Sequence, residues 1–185
     1  AIFLSHTDSM ASPPGPAIDS KAMDVLKKMS DTITGAKTVS FETRSMVPMR
    51  TPDGMWIDLY GTARIMKSGN DKLYVETRGD VTHLNFYFNG KNVAVFSPDK
   101  NIFAVRPSAP TVDEMIENAY KEKEKTFPFA DLLVADPYTV LTKDISKAVF
   151  IGYSDVGGVR TEHLAFSGEN ADWQIWISTE DNLPR

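Results

Sequence analysis

The chain contains no cysteine and only three histidines. The absence of cysteine excludes disulfide bonds, thiolate nucleophiles, cysteine-ligated zinc and iron–sulfur clusters. His6, His83 and His163 form no HxH or HxxxH pair, which is the spacing typical of a metal site. We interpret His83 and His163 as hydrogen-bonded or exposed strand residues. The sequence therefore predicts neither a bound metal nor a cofactor.

An excess of positive charge and a long apolar run are also absent. The formal net charge is −5, which argues against nucleic acid as a partner and against polybasic attachment to anionic lipid. No segment approaches the roughly 18 consecutive apolar residues of a spanning helix. We therefore expect no nucleic-acid partner and no membrane span.

The familiar catalytic motifs are missing as well. Ser154 lies between Gly152 and Gly157, which is not the GxSxG spacing of a nucleophile elbow. The glycines form neither a phosphate-binding loop nor a GxGxxG motif. Nothing in the sequence favours one particular pair of carboxylates for acid–base chemistry. The prediction is a protein that is not an enzyme.

Tight turns and short strands are what the chain has in abundance. Asn89-Gly90 suits a two-residue hairpin turn, because both residue types tolerate positive φ, and Pro98-Asp99 suits the next reversal. Apolar and polar residues alternate over four successive segments between residues 39 and 88. A period of two is typical of a half-buried antiparallel sheet.

Helices are predicted at the N-terminus and in the middle of the chain. The first begins at Asp19 or Ser20 and ends at Gly35. An insertion at 111–142 begins with a capping box of Thr111 and Glu114, and strands resume at Ala148. Residues 1–17 are predicted to be a disordered tail or the remnant of an export signal, and residues 18–185 a single domain. The fold class is α+β: a curved antiparallel half-barrel of about nine or ten strands, with the helical insertion covering its concave face.

Several strands are apolar on both faces, namely those at 86–88, 93–96, 102–105 and 173–177. An antiparallel sheet covered on one face should alternate cleanly, so the second face needs cover from helices, a partner or a ligand. Packing by the helices as ordinary core is the simpler explanation. An apolar cavity beneath them is the other, and the two are compatible.

The cavity hypothesis assigns one parity of the strands to the concave face. Its predicted lining is Phe41, Ile57, Leu59, Ile65, Leu73, Val75, Leu84, Phe86, Phe88, Leu164, Phe166, Trp173 and Ile175. The residues predicted to cover the opening are Met115, Ile116, Leu132 and Leu133.

A set of short blocks resembles a known family. They are FNGK at 88–91, PDKN at 98–101, FPFADLL at 127–133, DPY at 136–138, GVRTEHLAF at 158–166, DWQIWI at 172–177 and LPR at 183–185. Together they resemble bacterial predicted periplasmic proteins of a family of unknown function, over residues from about 18 onward. That family is similar in fold to the Lol-type lipoprotein carriers. The resemblance implies an exported, soluble periplasmic protein, with a further strand expected after Arg185.

Two functions are compatible with these features. The first is a non-enzymatic carrier or chaperone for an apolar ligand, such as the acyl chain of a lipoprotein or a lipid. The second is an envelope sensor or interaction module that binds a protein partner on the same fold. A hydrolase is a distant third, because it would need a cleft with strongly perturbed titratable groups.

Overall fold

The computed structural model describes residues 17–121, 129–169 and 171–185. Apart from Ala17, the predicted tail lies outside the described residues, as do residues 122–128 of the predicted insertion. The chain divides into two compact units, a first unit of residues 17–32 with 138–185 and a second unit of residues 33–137. The single domain over 18–185 stays a prediction.

The regular elements follow the order expected from the sequence. In chain order they are α1 (Ser20–Gly35), β1 (Thr38–Arg50), β2 (Trp56–Ser68), β3 (Lys72–Gly79), β4 (His83–Phe88), β5 (Asn92–Ser97), β6 (Ile102–Pro107), α2 (Val112–Lys121), a short 3-10 helix (Ala130–Leu132), α3 (Pro137–Thr142), β7 (Ile145–Val156), β8 (Val159–Gly168) and β9 (Asp172–Ser178). The α+β class, the antiparallel pairing, the N-terminal helix and the helical insertion are confirmed.

The first unit contains a three-stranded antiparallel sheet in the order β7-β8-β9. Asp19 joins α1 to this sheet: its side chain accepts hydrogen bonds from the amide of Lys21 (2.9 Å) and from the amide of Phe150 in β7 (3.2 Å). The same aspartate thus caps the helix and fixes where it begins. The apolar stripe of α1, which includes Leu26 and Met29, is buried.

The second unit is a six-stranded antiparallel meander in which every strand pairs with the next, from β1 to β6. The turns have the expected chemistry. Gly90, for example, has φ = 75° between β4 and β5, a conformation that favours glycine. Since each connection is short and local, the strand order follows the sequence order.

Register assigns the side chains of this meander to two faces. Phe41, Ile65, Val75, Phe86 and Val95 lie side by side on β1 to β5 and mark what we call the packed face. The residues between them along each strand point the other way, because side chains alternate across a sheet. We call that second surface the open face.

Helix α2 and the segment after it cover the packed face. The amide of Glu114 donates to Thr111 Oγ (3.3 Å), so the predicted cap is formed. Val112, Met115 and Ile116 then pack with Ala130 and Leu133 against the sheet. The insertion therefore contributes to a hydrophobic core within the second unit.

Candidate functional site

The predicted lining residues of β1 to β4 all lie on the packed face, because the register aligns them in successive rows. Those nearest α2 are fully buried, namely Ile65, Leu73, Val75 and Phe88. Met115, Ile116 and Leu133, which were predicted to cover an opening, belong to the same core, and Leu132 is half-buried. The centre of this face is thus occupied by side chains, and ligand binding there stays a prediction.

The remaining predicted residues of the second unit surround that core. Phe41 and Phe86 are partly buried and pack against it, and Phe41 meets the ring of Phe129 edge-on at 6.2 Å. Ile57 and Leu59 are half-buried on the hairpin of β1 and β2, and Leu84 is exposed. These side chains form the less covered end of the packed face.

Four predicted residues lie in the first unit. Leu164 is opposite Ile175, and Phe166 is opposite Trp173, so the four share one face of the three-stranded sheet. The rings of Phe166 and Trp173 stack at 4.2 Å. Leu164 and Phe166 are buried, whereas Trp173 and Ile175 are half-buried. Their role in ligand binding is untested and stays a prediction.

A groove at one end of the meander is the clearest candidate site. It has a volume of about 650 Å³, is open on one side, and is lined by Thr38, Val39, Ser40, Met66, Lys67, Ser68, Lys72, Leu73, Tyr74, Tyr87, Phe88 and Asn89. Among these, Met66 and Tyr87 are large exposed apolar side chains, at 43% and 44% exposure. Both belong to the open face. Leu73 and Phe88 are the two residues of the predicted lining that also border this groove, and both have the packed-face parity.

The floor of the groove is one row of the sheet. Ser40, Met66, Tyr74 and Tyr87 lie directly opposite one another on β1 to β4. The rings of Tyr74 and Tyr87 are 5.1 Å apart and tilted by 46°. Cross-strand aromatic pairs of this kind stabilise a sheet and offer flat apolar surface. We call this row the floor.

The neighbouring row, at the end of the strands, is polar. Thr38 is opposite Ser68, and Ser68 is opposite Lys72, so two hydroxyls and one ammonium group border the floor. We call these three residues the rim. Because rows in a sheet are fixed by register, the apolar floor and the polar rim lie side by side.

The row on the far side of the floor is charged, and its two carboxylates are paired with arginines. Arg64 donates to Glu42 Oε1 through Nε (3.0 Å) and Nη2 (2.9 Å), and Arg78 donates to Glu76 at 2.7 Å. The hydrogen bond from Arg78 lowers the pKa of the Glu76 carboxyl. Burial, and then the nearby charge of Glu76, raise the pKa of the Tyr74 phenol, which therefore stays neutral at the floor.

Lys67 contributes to the groove but directs its charge elsewhere. Its Nζ donates to the carbonyl oxygen of Leu133 at 2.5 Å, on the side of the packed face. Burial lowers the pKa of this ammonium group, and the attraction of Asp113 opposes that change. The group links β2 to the segment after the 3-10 helix, so its role is structural.

The part of the chain that the structure describes has no cluster of metal ligands and no membrane-spanning helix, and its two histidines are not paired with each other. Across residues 17–121, 129–169 and 171–185 there is no group of three or more potential metal ligands and no helix with the length and hydropathy to cross a membrane. His83 Nδ1 lies 2.9 Å from Asp99, and His163 Nε2 lies 2.8 Å from Gln174 Oε1. Both histidines are thus hydrogen-bonded strand residues, as interpreted from the sequence.

Met66, Tyr74 and Tyr87 of the floor lie outside the predicted lining. The sequence is apolar on both faces of β4 at Tyr87, but the predicted lining follows the parity with the more regular apolar pattern. The overlooked signal was that Met66, Tyr74 and Tyr87 interrupt the polar parity of three successive strands at matching positions.

The elements and the groove define the class: an α+β protein built on an open antiparallel meander with an apolar groove at one end. The chain belongs to the family of predicted periplasmic proteins DUF2092, whose family model matches residues 22–185. The resemblance inferred from the sequence blocks and the periplasmic location are thereby confirmed. A comparison with curated proteins found no match.

Several solved structures are similar to this chain at low identity. The MucA/MucB complex of Pseudomonas aeruginosa matches with 14% identity and a TM-score of 0.41, covering 89% of this chain and 49% of the other. LprF from Mycobacterium bovis matches with 10% identity and a TM-score of 0.38, covering 88% and 80%. A LolA superfamily protein from Nitrosomonas europaea matches with 15% identity and a TM-score of 0.31, covering 88% and 68%. The chain thus spans about half the length of the chain that it matches in the MucA/MucB complex.

Proposed function

We propose that this protein is a non-enzymatic periplasmic binding protein for an apolar or amphiphilic ligand, with the open-face groove as its site. The observation that carries the proposal is the floor of Met66, Tyr74 and Tyr87 in a groove of about 650 Å³. That volume lies within the range of roughly 300–1,000 Å³ typical of ligand sites. A lipid or the acyl chain of a lipoprotein is the ligand class that such a floor suits, and carriage through the periplasm is the role that follows.

Burial of the floor supplies the driving force. Each Å² of apolar surface removed from water contributes roughly 25 cal/mol, so covering the exposed parts of a methionine and two tyrosines favours binding of an apolar chain. A neutral Tyr74 phenol, bound to Glu76 Oε2 at 3.4 Å, adds no charge to the floor. The ligand therefore meets an aromatic, uncharged surface along its length.

Binding of a fluorescent fatty acid to purified protein tests this function. Met66→Asp should weaken the affinity at least about tenfold, because it places a charge in the floor. The matched control is Met46→Asp, on the open face of β1 but outside the groove, where the side chain is 69% exposed. It should leave binding unchanged. Failure of the wild-type protein to bind, or equal losses in both variants, would remove the proposed site.

The hairpin of β1 and β2 favours a second function, that of a protein-interaction module. β3 pairs with β2 only from Gly61 onward, so among the described residues the strand segments 47–50 and 56–59 pair only with each other. Trp56 and Met46 are exposed at 68% and 69% on the open face of the hairpin, and Val47 and Met49 are exposed on its other face. Such a two-sided apolar ribbon is suited to a partner that surrounds it.

Capture of a protein partner from an envelope extract distinguishes this second function from ligand binding. A stoichiometric protein partner that the wild type retains without lipid, and that the double variant Val47→Ser, Trp56→Ser loses, would favour the interaction module. Retention of the partner by the double variant would exclude the hairpin as its binding surface. Fatty-acid binding by the double variant should equal that of the wild type, because the groove lies outside the substituted positions.

A further inference from the structure

The rim of the groove carries a positive charge that has no ion-pair partner among the described residues. Lys72 is exposed, and among the described residues its Nζ has neither a hydrogen-bond nor an ion-pair partner. The other lysine of the lining, Lys67, has its ammonium group bound to the carbonyl oxygen of Leu133. No aspartate or glutamate belongs to the lining. Lys72 is therefore the charged group that is available to a ligand in the groove.

The two carboxylates of the row beyond the floor are already engaged. Glu42 is held by Arg64 at 2.9 Å, and Glu76 is held by Arg78 at 2.7 Å. Glu42, Arg64 and Glu76 belong to one row, and Arg78 reaches Glu76 from the next row along β3. Lys72 lies on the other side of the floor from these pairs, in a chain whose net charge is −5. Among the lining residues, the charge that has no partner is thus at the rim.

The rim also supplies hydroxyl donors beside that charge. Ser68 lies directly opposite Lys72, and Thr38 lies directly opposite Ser68. Directly opposite residues of an antiparallel pair have Cβ atoms about 5 Å apart, so a small anion can reach more than one of these groups. A charged group held by an ammonium and a hydroxyl gains hydrogen bonds about twice as strong as neutral ones.

We propose that the groove takes a single-chain amphiphile with a carboxylate head, with the chain on the floor and the carboxylate at Lys72 and the rim hydroxyls. The inference rests on the proposed function and names its ligand class. One uncompensated ammonium group matches one monoanion. A cationic head would be repelled at the rim, and a neutral head would leave the charge of Lys72 without a partner.

Displacement of the neutral dye Nile red by three ligands with the same chain tests the inference: palmitate, palmityl alcohol and palmityl amine. The wild type should bind palmitate more tightly than the alcohol by about fivefold, and the amine most weakly. Lys72→Gln should abolish the preference for palmitate over the alcohol. Lys72→Arg should retain it, and the exposed control Lys100→Gln, on the turn between β5 and β6, should behave as the wild type.

The possible outcomes separate this inference from the function on which it rests. Equal affinities for palmitate and the alcohol, or an unchanged preference in Lys72→Gln, would overturn head-group recognition while leaving apolar binding intact. Tighter binding of a palmityl phosphate than of palmitate, lost in Lys72→Gln, would replace the carboxylate with a phosphate head. If none of the ligands displaces the dye, the proposed function fails and this inference fails with it.

Discussion

Adjacent residues of β3 have opposite surroundings. Leu73 and Val75 are 3% and 2% exposed in the core beneath α2, whereas Tyr74 between them forms part of the groove floor. The reason is the alternation of side chains across a sheet, which separates the two roles by a single residue. Substitution of Val75 should therefore affect stability, whereas substitution of Tyr74 should affect binding.

Leu73→Ala should lower the free energy of unfolding by about 3 kcal/mol, because it removes buried methyl groups and leaves a cavity. Met46→Ala, at an exposed position on β1, should change it by less than about 0.5 kcal/mol. Urea denaturation of both variants measures the difference. Equal effects would show that Leu73 is not part of the core.

The pair of Glu76 and Arg78 predicts a pH dependence at residue level. The hydrogen bond from Arg78 lowers the pKa of Glu76 in the folded state below its usual value of 4.5. The unfolded state then binds more protons, so the stabilisation is present above that value and is lost as the pH falls through the lowered pKa. The stability of the wild type relative to Glu76→Gln should therefore decrease below about pH 4.5. Denaturation at a series of pH values measures it, and a constant difference would contradict the prediction.

At the scale of elements, close approach between strands restricts particular positions. A Cβ atom at Gly79, the last residue of β3, would lie 2.6 Å from the carbonyl oxygen of Tyr60 in β2. At Gly35, the last residue of α1, a Cβ atom would have no neighbour within 4 Å. Replacement of glycine by alanine should therefore destabilise the protein at Gly79 but not at Gly35.

Gly79→Ala should lower the free energy of unfolding by about 2 kcal/mol, because the backbone of β2 must move to accept the methyl group. Gly35→Ala should be neutral or stabilising by up to about 1 kcal/mol, since it reduces the freedom of the unfolded chain at no steric cost. Thermal unfolding of the two variants provides the comparison. A stable Gly79→Ala variant would show that the β2–β3 pairing is looser than this distance indicates.

At the scale of the whole molecule, ligand binding and folding are linked. A ligand that binds only the folded chain stabilises it by about 2.7 kcal/mol at roughly one hundred times its Kd. For a chain of this size, that corresponds to a rise in Tm of about 5 to 10 °C.

Palmitate should therefore raise the Tm of the wild type and of Met46→Asp, but not that of Met66→Asp, whose floor carries a charge. Thermal unfolding with and without palmitate, together with the alcohol as a second ligand, measures the effect. An equal rise in all three proteins would indicate binding outside the groove.

The local features of this protein follow from short stretches of sequence. The strands β1 to β4 follow from the alternation of apolar and polar residues, the turn at Gly90 from a residue that tolerates positive φ, and the start of α2 from Thr111 and Glu114. These outcomes depend on residues a few positions apart, so propensity and periodicity suffice to predict them. The same periodicity placed the predicted lining of β1 to β4 on one common face.

Which face is covered was decided by the tertiary structure. Alternation shows that Leu73 and Tyr74 point in opposite directions, but the side on which α2 packs depends on contacts between residues far apart in the chain. Val112 and Met115 fill the space over Leu73 and Val75, and the groove is left over Met66, Tyr74 and Tyr87. The positive rim has the same origin, since only strand pairing brings Thr38, Ser68 and Lys72 into one row. Local sequence determines the strands, whereas non-local packing determines which of their two faces remains open to a ligand.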